Sequence, residues 1–268
     1  MPQSSDRSLD CLACFPAGPG VELALGTVWL EPRHLTGAAA VVHRRRAGGE
    51  RVLIHRPSDQ ERANYASRMH LGRVLDAMGA DHDLPRVRER DLADDLLELQ
   101  ELRTAQDARS LAQVVHGKTV SRDEDVAEAL WEAITELGAN VQDHARRPGG
   151  PETPGFCAAQ SIPATGEVRF AVADSGRGLL ATLAPRGAYD DRDAIVLALS
   201  GTSRLDQPDR GRGLANTLEL VAELGGDLYV ASGTASTTAT SARRVHKTLN
   251  TPFPGTLVQG RVRGTTRR

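Results

Sequence analysis

The sequence predicts a mixed α/β chain of two domains, and three observations support this. Strand-like stretches with alternating apolar residues are interleaved with amphipathic helical stretches along the chain. A length of 268 residues is long for one compact core and suits two domains of ordinary size. Hydrophobic residues make up 40% and charged residues 25%, which is typical of a globular protein with a sizeable core.

Composition and charge narrow the functional classes. The apolar runs are too short to span a bilayer, and the N-terminus lacks a secretory pattern, so we expect a cytoplasmic protein without membrane contact. A net charge of −2 does not favour nucleic acid as a partner. Cys11 and Cys14 form a Cys-x-x-Cys pair without histidines at zinc-ligand spacing, so no zinc site is predicted.

The first part of the chain predicts a short arm and a small domain. Residues 1–18 are rich in Ser, Pro, Gly and Asp and indicate a flexible arm. Residues 19–118 alternate between strand and helix patterns and predict a small α/β domain. Its elements are a strand or hairpin at Val21–Leu30, a helix at Gly37–Arg46, a strand at Arg51–His55, a helix at Asp59–Met78, a strand at Leu96–Leu102 and a helix at Gln106–His116.

The second domain, residues 119–268, is predicted to start with a long helix. Ser121 and Glu124 have the spacing of a capping box, and an apolar stripe at helical spacing follows them. A hairpin then turns at Thr165-Gly166, and further helices and strands predict a sheet with helices on one face. These elements are strands Gly155–Ile162 and Glu167–Ala173, helices Asp190–Leu199 and Gly213–Leu224, and strands Leu228–Ser232 and Gly255–Val262.

Three polar residues lie on one face of the long helix. Glu136, Asn140 and His144 are four residues apart, so a carboxylate, an amide and an imidazole share one ridge. Such a ridge suits a base, a magnesium ligand and an orienting group. A polar row at this spacing is usually the solvated face of an amphipathic helix, and the row taken alone favours that interpretation.

Glycine-rich patterns follow the helix in order. Asp174 ends an apolar strand, where a carboxylate needs a hydrogen-bond donor, and the amine of adenine would be one. Gly176 and Gly178 leave room for backbone beside a ligand, although an ordinary turn has the same pattern. Gly211 and Gly213 open a helix whose N-terminus suits phosphate. The segment between Leu179 and Arg210 is either a lid or a surface loop.

Taken together, these patterns resemble the ATP-binding domain shared by gyrase, chaperone, histidine-kinase and mismatch-repair ATPases, the GHKL superfamily. The resemblance covers about Asp123 to Arg263, and Thr202-Ser-Arg204 and Gly225-Gly226 are most similar to bacterial anti-sigma and histidine-kinase-like domains. It implies a two-layer α/β sandwich. Before it, Arg56-Pro and Tyr65–Leu71 resemble a STAS-like module, in which Thr36 is either a phosphoacceptor or an ordinary N-cap.

The resemblance implies residue roles. Asn140 would be the Mg²⁺ ligand and Glu136 the general base, and His144 would support the pocket edge. Asp174 would contact adenine with support from Thr256, and Gly176 and Gly178 would form the pocket floor. Gly211 and Gly213 would approach the phosphates. The predicted ATP-binding set also includes Thr202, Arg204 and Arg212. None of the eight histidines has the setting of a sensor-kinase phosphoacceptor, so a classical sensor role is disfavoured.

The sequence therefore predicts a cytoplasmic bacterial regulatory protein that binds ATP and Mg²⁺. Three destinations of the γ-phosphate stay open: water in an ATPase, a hydroxyl in an anti-sigma-type Ser/Thr kinase, or none in an ATP-gated interaction module. The expected partner is a regulatory protein, such as a sigma factor or a STAS-type protein, and relatives commonly form homodimers. The rival interpretation is a structural α/β protein whose polar helix face is solvated.

Overall fold

The computed structural model describes residues 12–17, 20–26, 29–88, 97–145, 153–162, 165–201 and 213–263. Within these ranges, the chain forms one sheet of four strands, one sheet of five strands and eight α-helices, which confirms the predicted mixed α/β class. No helix in the described ranges has both the length and the apolar character that crossing a bilayer requires.

The four-stranded sheet is built from the first part of the chain. Its strands lie in the order β1-β2-β3-β4, with β1 antiparallel to β2 and the other neighbours parallel. Residues 12–17 of the predicted arm thus pair as an edge strand. The elements are β1 (Leu12–Ala17), β2 (Gly20–Leu25), α1 (Pro32–Ala47), β3 (Arg51–His55), α2 (Gln60–Arg68), α3 (Leu71–Ala77) and β4 (Asp81–His82).

The five-stranded sheet is antiparallel throughout. Its strands lie in the order β5-β6-β7-β9-β8. They are β5 (Leu97–Leu102), β6 (Gly155–Ile162), β7 (Glu167–Asp174), β8 (Asp227–Ala239) and β9 (Arg244–Arg263). The last two strands form a hairpin much longer than predicted, because its outer half lacks large apolar residues at alternate positions. On β8 this half is mostly buried but consists of small and hydroxyl residues, and on β9 it is largely polar and mostly exposed.

Five helices cover one face of this sheet. They are α4 (Ala105–Thr119), α5 (Glu124–Asn140), α6 (Gly178–Leu183), α7 (Asp191–Leu199) and α8 (Gly213–Glu223). Helices α4 and α5 pack against each other and share one core with α8 and the sheet. The predicted domain boundary after residue 118 falls in the last turn of α4. The predicted capping box is wrong: Asp123, not Ser121, caps α5 and accepts from the Val126 N–H at 3.1 Å.

Helix α1 covers the other face of the five-stranded sheet. It packs against β6, β7 and β9, so a helix from the first part of the chain covers the second face, in addition to the predicted helices on the first. The reason is that β6 and β7 are apolar on both faces: Phe156, Ala158 and Ala173 point away from the α5 side and join a core with α1 and the four-stranded sheet.

The N-terminal cap predicted at Thr36 is also wrong. Helix α1 begins at Pro32 with Glu31 as its N-cap, one turn before Thr36. The Thr36 side chain is fully buried, and its hydroxyl donates to the Pro32 carbonyl at 3.1 Å.

A largely buried ion network fixes the start of α1 on the sheet. The Glu31 carboxylate lies 2.8 Å from Arg169 Nη1 on β7 and accepts from Gln259 Nε2 on β9 at 2.9 Å. Burial favours the neutral form of Glu31, but Arg33, Arg169 and Gln259 together hold its pKa below the usual value. The carboxylate is therefore ionised at neutral pH and paired across two strands.

Replacing Arg169 by Met should destabilise the fold, because it leaves the largely buried Glu31 charge without its shorter ion pair. We expect the free energy of unfolding at pH 7, measured by urea denaturation, to fall by about 3 kcal/mol. The control is Arg45→Met, which removes an ion pair to Glu50 that is 36–40% exposed and should cost under about 1 kcal/mol. Equal losses in the two variants would contradict a stabilising role for the buried network.

Candidate functional site

A cavity lies between the helical layer and the five-stranded sheet, at the end of β7. It encloses about 710 Å³, its open mouth included. Its walls are mainly apolar, with Leu137, Val172 and Leu183 among them. The polar side chains that reach it are few: Asn140, His144, Asp174, Thr182 and Thr256. An apolar cavity with a few convergent polar groups is the usual form of a small-molecule site.

Asp174 is the most unusual of these polar groups. Its side chain is almost fully buried, and its Oδ1 accepts from the Gly176 N–H at 2.7 Å. Burial raises its pKa to about 6, while the backbone N–H groups of Gly176 and Thr256 act in the opposite direction. The carboxyl is therefore mostly ionised at neutral pH inside an apolar cavity, which is an arrangement typical of functional sites.

Three glycines allow backbone to approach closely around Asp174. A Cβ on Gly176 would lie 2.3 Å from the Ala145 carbonyl oxygen, and a Cβ on Gly255 would lie 2.2 Å from the Asp174 carbonyl oxygen. Gly178 has φ +75°, which other residues rarely adopt, and begins α6. The Asp174-x-Gly176-x-Gly178 spacing thus has a steric basis at each glycine.

The polar ridge of α5 meets the start of α8. A Cβ on Gly213 would lie 2.7 Å from Asn140 Nδ2 and 2.8 Å from Glu136 Oε2, so the α8 backbone touches both side chains. Glu136 is half-buried, and burial together with the charges of Glu132 and Asp143 raises its pKa. A carboxylate with a raised pKa is a stronger proton acceptor.

The predicted long helix does not run unbroken to His144. Helix α5 ends at Asn140, and Val141–Ala145 form a π-helical turn. Such turns occur often at functional sites. His144 still lines the cavity, and its backbone carbonyl accepts from Arg177 Nε at 3.3 Å.

The structure brings part of the predicted site together. Asn140, Asp174, Gly178, Gly213 and Thr256 all line the one cavity. Glu136 contacts its edge at Gly213, and Gly176 supports Asp174 from behind. Four predicted residues, namely Thr202, Arg204, Gly211 and Arg212, lie outside the described residues.

The segment interpreted as a lid or a loop is largely helical where the structure describes it. Its described part, up to Gly201, consists of α6, a 3₁₀ turn at Ala184–Arg186 and α7. Leu179, Leu183 and Ala198 from this segment form one wall of the cavity. The wall is therefore part of the packed helical layer as far as the described residues extend.

Some contacts of the site were not predicted from sequence. Ser232 on β8 accepts from the Leu179 N–H at 2.9 Å and donates to the Gly255 carbonyl at 2.8 Å, which joins three segments behind the pocket. Ser175 Oγ lies 2.7 Å from His43 Nδ1 on α1. Of the residues in these contacts, Gly255 alone had a sequence signal, because it precedes the predicted Thr256.

The described ranges contain no group of three or more His, Cys, Asp or Glu side chains that could hold a metal ion. A metal in this cavity would thus depend on Asn140 and on oxygens of a bound ligand. Mg²⁺ commonly binds in this way, through one or two protein oxygens plus phosphates and water.

Comparison with known proteins does not identify the chain: no family model, no curated protein and no solved structure matches it.

Replacing Gly213 by Ala should disturb the ridge, because the new methyl group would overlap the side chains of Asn140 and Glu136. We expect the affinity for Mg·ATP, the ligand predicted from sequence, to fall about tenfold, as measured by titration calorimetry. The control is Gly117→Ala, at a helical position with no atom within 4 Å, which should bind like wild type. Unchanged affinity in Gly213→Ala would contradict a ligand contact with this ridge.

Replacing Asp174 by Asn should change how stability depends on pH. Because the folded-state pKa of about 6 lies above the usual 3.8, the wild type loses stability as pH rises between these values. Asn keeps an acceptor oxygen and does not titrate. The stability of Asp174→Asn relative to wild type should therefore rise by about 2 kcal/mol from pH 4.5 to 7.5 in urea denaturation.

The control for this pH series is Asp81→Asn, which removes an exposed carboxylate. Its stability relative to wild type should change little between the same two pH values. A flat difference for Asp174→Asn as well would show that the Asp174 carboxyl is not held in a costly buried setting.

Proposed function

We propose that the protein is an ATP-binding regulatory protein of the GHKL type, in which Mg·ATP occupies the cavity at the end of β7. The observation that carries the proposal is the buried Asp174 carboxylate in an otherwise apolar cavity that also contains Asn140 and the start of α8. The proposed fold is the two-layer ATPase sandwich of this superfamily for α4–α8 and the five-stranded sheet.

Adenine recognition is supported by the chemistry around Asp174. An ionised carboxylate in an apolar cavity lacks the hydration that it would have in water, so a ligand donor is favourable there. The exocyclic amine of adenine is such a donor. The flat ring would contact the apolar walls at Leu137, Val172 and Leu183, and Thr256 holds the carboxylate through its backbone N–H.

Phosphate and magnesium binding is supported at Asn140, beside the start of α8. Helix α8 starts at Gly213, directly against Asn140, and the N–H groups at a helix N-terminus favour phosphate oxygens. The Asn140 side-chain oxygen would be the protein ligand of Mg²⁺. The proposal also assigns four residues to the phosphate loop: Thr202, Arg204, Gly211 and Arg212.

Glu136 would act as the general base. Bound ATP supplies the γ-phosphoryl group, and Glu136 would take the proton from the attacking water or hydroxyl. Its raised pKa suits this role, and its position one turn before Asn140 keeps it beside the metal ligand. ATP hydrolysis and transfer to a Ser or Thr of a partner both use this step, whereas an ATP-gated interaction module would not.

The acceptor in a kinase would be a separate protein and not Thr36. The Thr36 hydroxyl is buried in α1 and bonded to the Pro32 carbonyl, so it is closed to a nucleotide. The proposed partner is a regulatory protein such as a sigma factor or a STAS-type protein, acting in the cytoplasm. A homodimer and a STAS-like role for the four-stranded sheet are parts of the same proposal.

Incubation with γ-labelled ATP and Mg²⁺ tests the proposal by sorting the label into free phosphate, protein-bound phosphate and unchanged ATP. Asn140→Ala should weaken Mg-dependent binding by at least about tenfold. Glu136→Gln should keep the binding and lower turnover about 10²-fold or more. The control is Glu128→Gln, two turns earlier on the same helix and exposed, which should match wild type.

Label that stays in ATP, with binding that requires Asn140, would assign the non-catalytic module. Folded protein that fails to bind Mg·ATP at millimolar concentration would overturn the proposal and favour the structural α/β protein.

A further inference from the structure

A second cavity lies on the opposite side of the five-stranded sheet from the first. It is formed by α1, α3 and β5, encloses about 1350 Å³ with its open mouth, and shares no lining residue with the cavity at β7. Five basic side chains line it: His43, Arg46, His70, Arg73 and Arg103. Among the described residues of its lining, Glu101 is the one acidic side chain.

The charges of this lining do not cancel. The three arginines are permanently cationic, and Glu101 accepts from Arg103 at 3.0 Å. Arg46 is fixed on the wall because it donates to the carbonyls of Met78 and Glu50 at 3.2 and 3.0 Å, neither of which neutralises it. The wall therefore carries a net positive charge at neutral pH.

The deeper surface of the cavity is apolar. Leu99 and Phe156 are buried in the core beneath it, and Val74 and Met78 flank them. The centroids of the His43 and Phe156 rings lie 6.2 Å apart. Burial, Arg103 and Arg44 lower the pKa of His43, whereas Glu101 raises it, and the net shift is downward. A cationic rim thus surrounds an apolar floor.

One backbone feature also points to this cavity. His70, at the junction of α2 and α3, has φ 61°, and it is the one non-glycine residue with positive φ in the described ranges. Residues held in this region cluster at ligand sites. Here the conformation separates α2 from α3 and brings His70 into the cavity wall.

We propose that this cavity binds a small organic anion: a carboxylate, sulfonate or phosphate head contacts the cationic rim, and an attached apolar body contacts Leu99 and Phe156. Guanidinium groups suit such heads because they form paired charge-assisted hydrogen bonds. The proposal concerns a site separate from the cavity at β7 and does not depend on ATP binding there.

A pair of fluorescent probes tests this chemistry. 8-Anilinonaphthalene-1-sulfonate has an anionic head on an aromatic body, and N-phenyl-1-naphthylamine has the same rings without the charge. The folded full-length protein should bind the sulfonate with saturation and at least about tenfold more tightly than the neutral amine, since each lost charge-assisted contact costs a factor of about that size. Equal affinities for the two probes would overturn the proposal.

Two kinds of variant locate the binding. Arg73→Gln combined with Arg103→Gln should weaken sulfonate binding about tenfold or more. Ala77→Trp should weaken it similarly by filling the cavity from its exposed edge without removing charge. The matched control is Arg56→Gln, an exposed arginine outside the lining.

Unchanged binding in both cavity variants, with unfolding midpoints close to wild type, would overturn the proposal. An equal loss in Arg56→Gln would overturn it as well, because the effect would then come from overall charge.

Discussion

The burial of the Asp174 carboxylate constrains the structure around the site more than any other single interaction. Its carboxylate accepts from the N–H groups of Gly176 and Thr256, which ties the end of β7 to the following turn and to β9. That geometry requires backbone so close that Gly176 and Gly255 admit no Cβ. The cavity exists because these three segments converge on one charged group and leave an apolar space in front of it.

Helix α1 extends this constraint to the rest of the molecule. Its start is fixed on β7 and β9 by Glu31, Arg169 and Gln259, and near its other end His43 contacts Ser175, the residue after Asp174. The core behind α1 is shared with the four-stranded sheet. The first part of the chain therefore supports the back of the site and is not an appendage. A change that moves α1 would disturb the contact between His43 and Ser175, one residue from the buried carboxylate.

The sequence predicted those strands and helix starts that are determined by residues close together in the chain. Strands β3 and β6 were predicted with their observed bounds, and Asp190 begins α7 as an N-cap, because apolar alternation and capping chemistry act within a few residues. The start of α1 at Glu31 was missed because its carboxylate is stabilised by strands far along the chain. The outer half of the β8–β9 hairpin was missed because it lacks large apolar residues at alternate positions.

The site shows the same difference between local sequence signals and contacts made by distant parts of the chain. The spacing of Asp174, Gly176 and Gly178 pointed to a pocket, and so did Asn140 with Gly213, because close backbone approach leaves a glycine signature. Ser232 and His43 carry no such signature. Ser232 contacts the pocket only after the sheet brings β8 beside it, and His43 only after α1 docks on β7. Side chains that support a site from other layers become visible only in the folded chain.

Glu136 and Asp174 are both carboxylates with raised pKa values, but their settings suit different tasks. Asp174 is almost fully buried and held by backbone donors, a setting that fits the recognition role proposed for it. Glu136 is half-buried, and its pKa is raised by burial and by the acidic neighbours Glu132 and Asp143. A carboxylate destabilised by like charges gains by taking up a proton, which is the requirement for a general base. Under the proposed function, the two environments would separate binding from chemistry within one site, so that turnover could be lost at Glu136 while recognition at Asp174 persists.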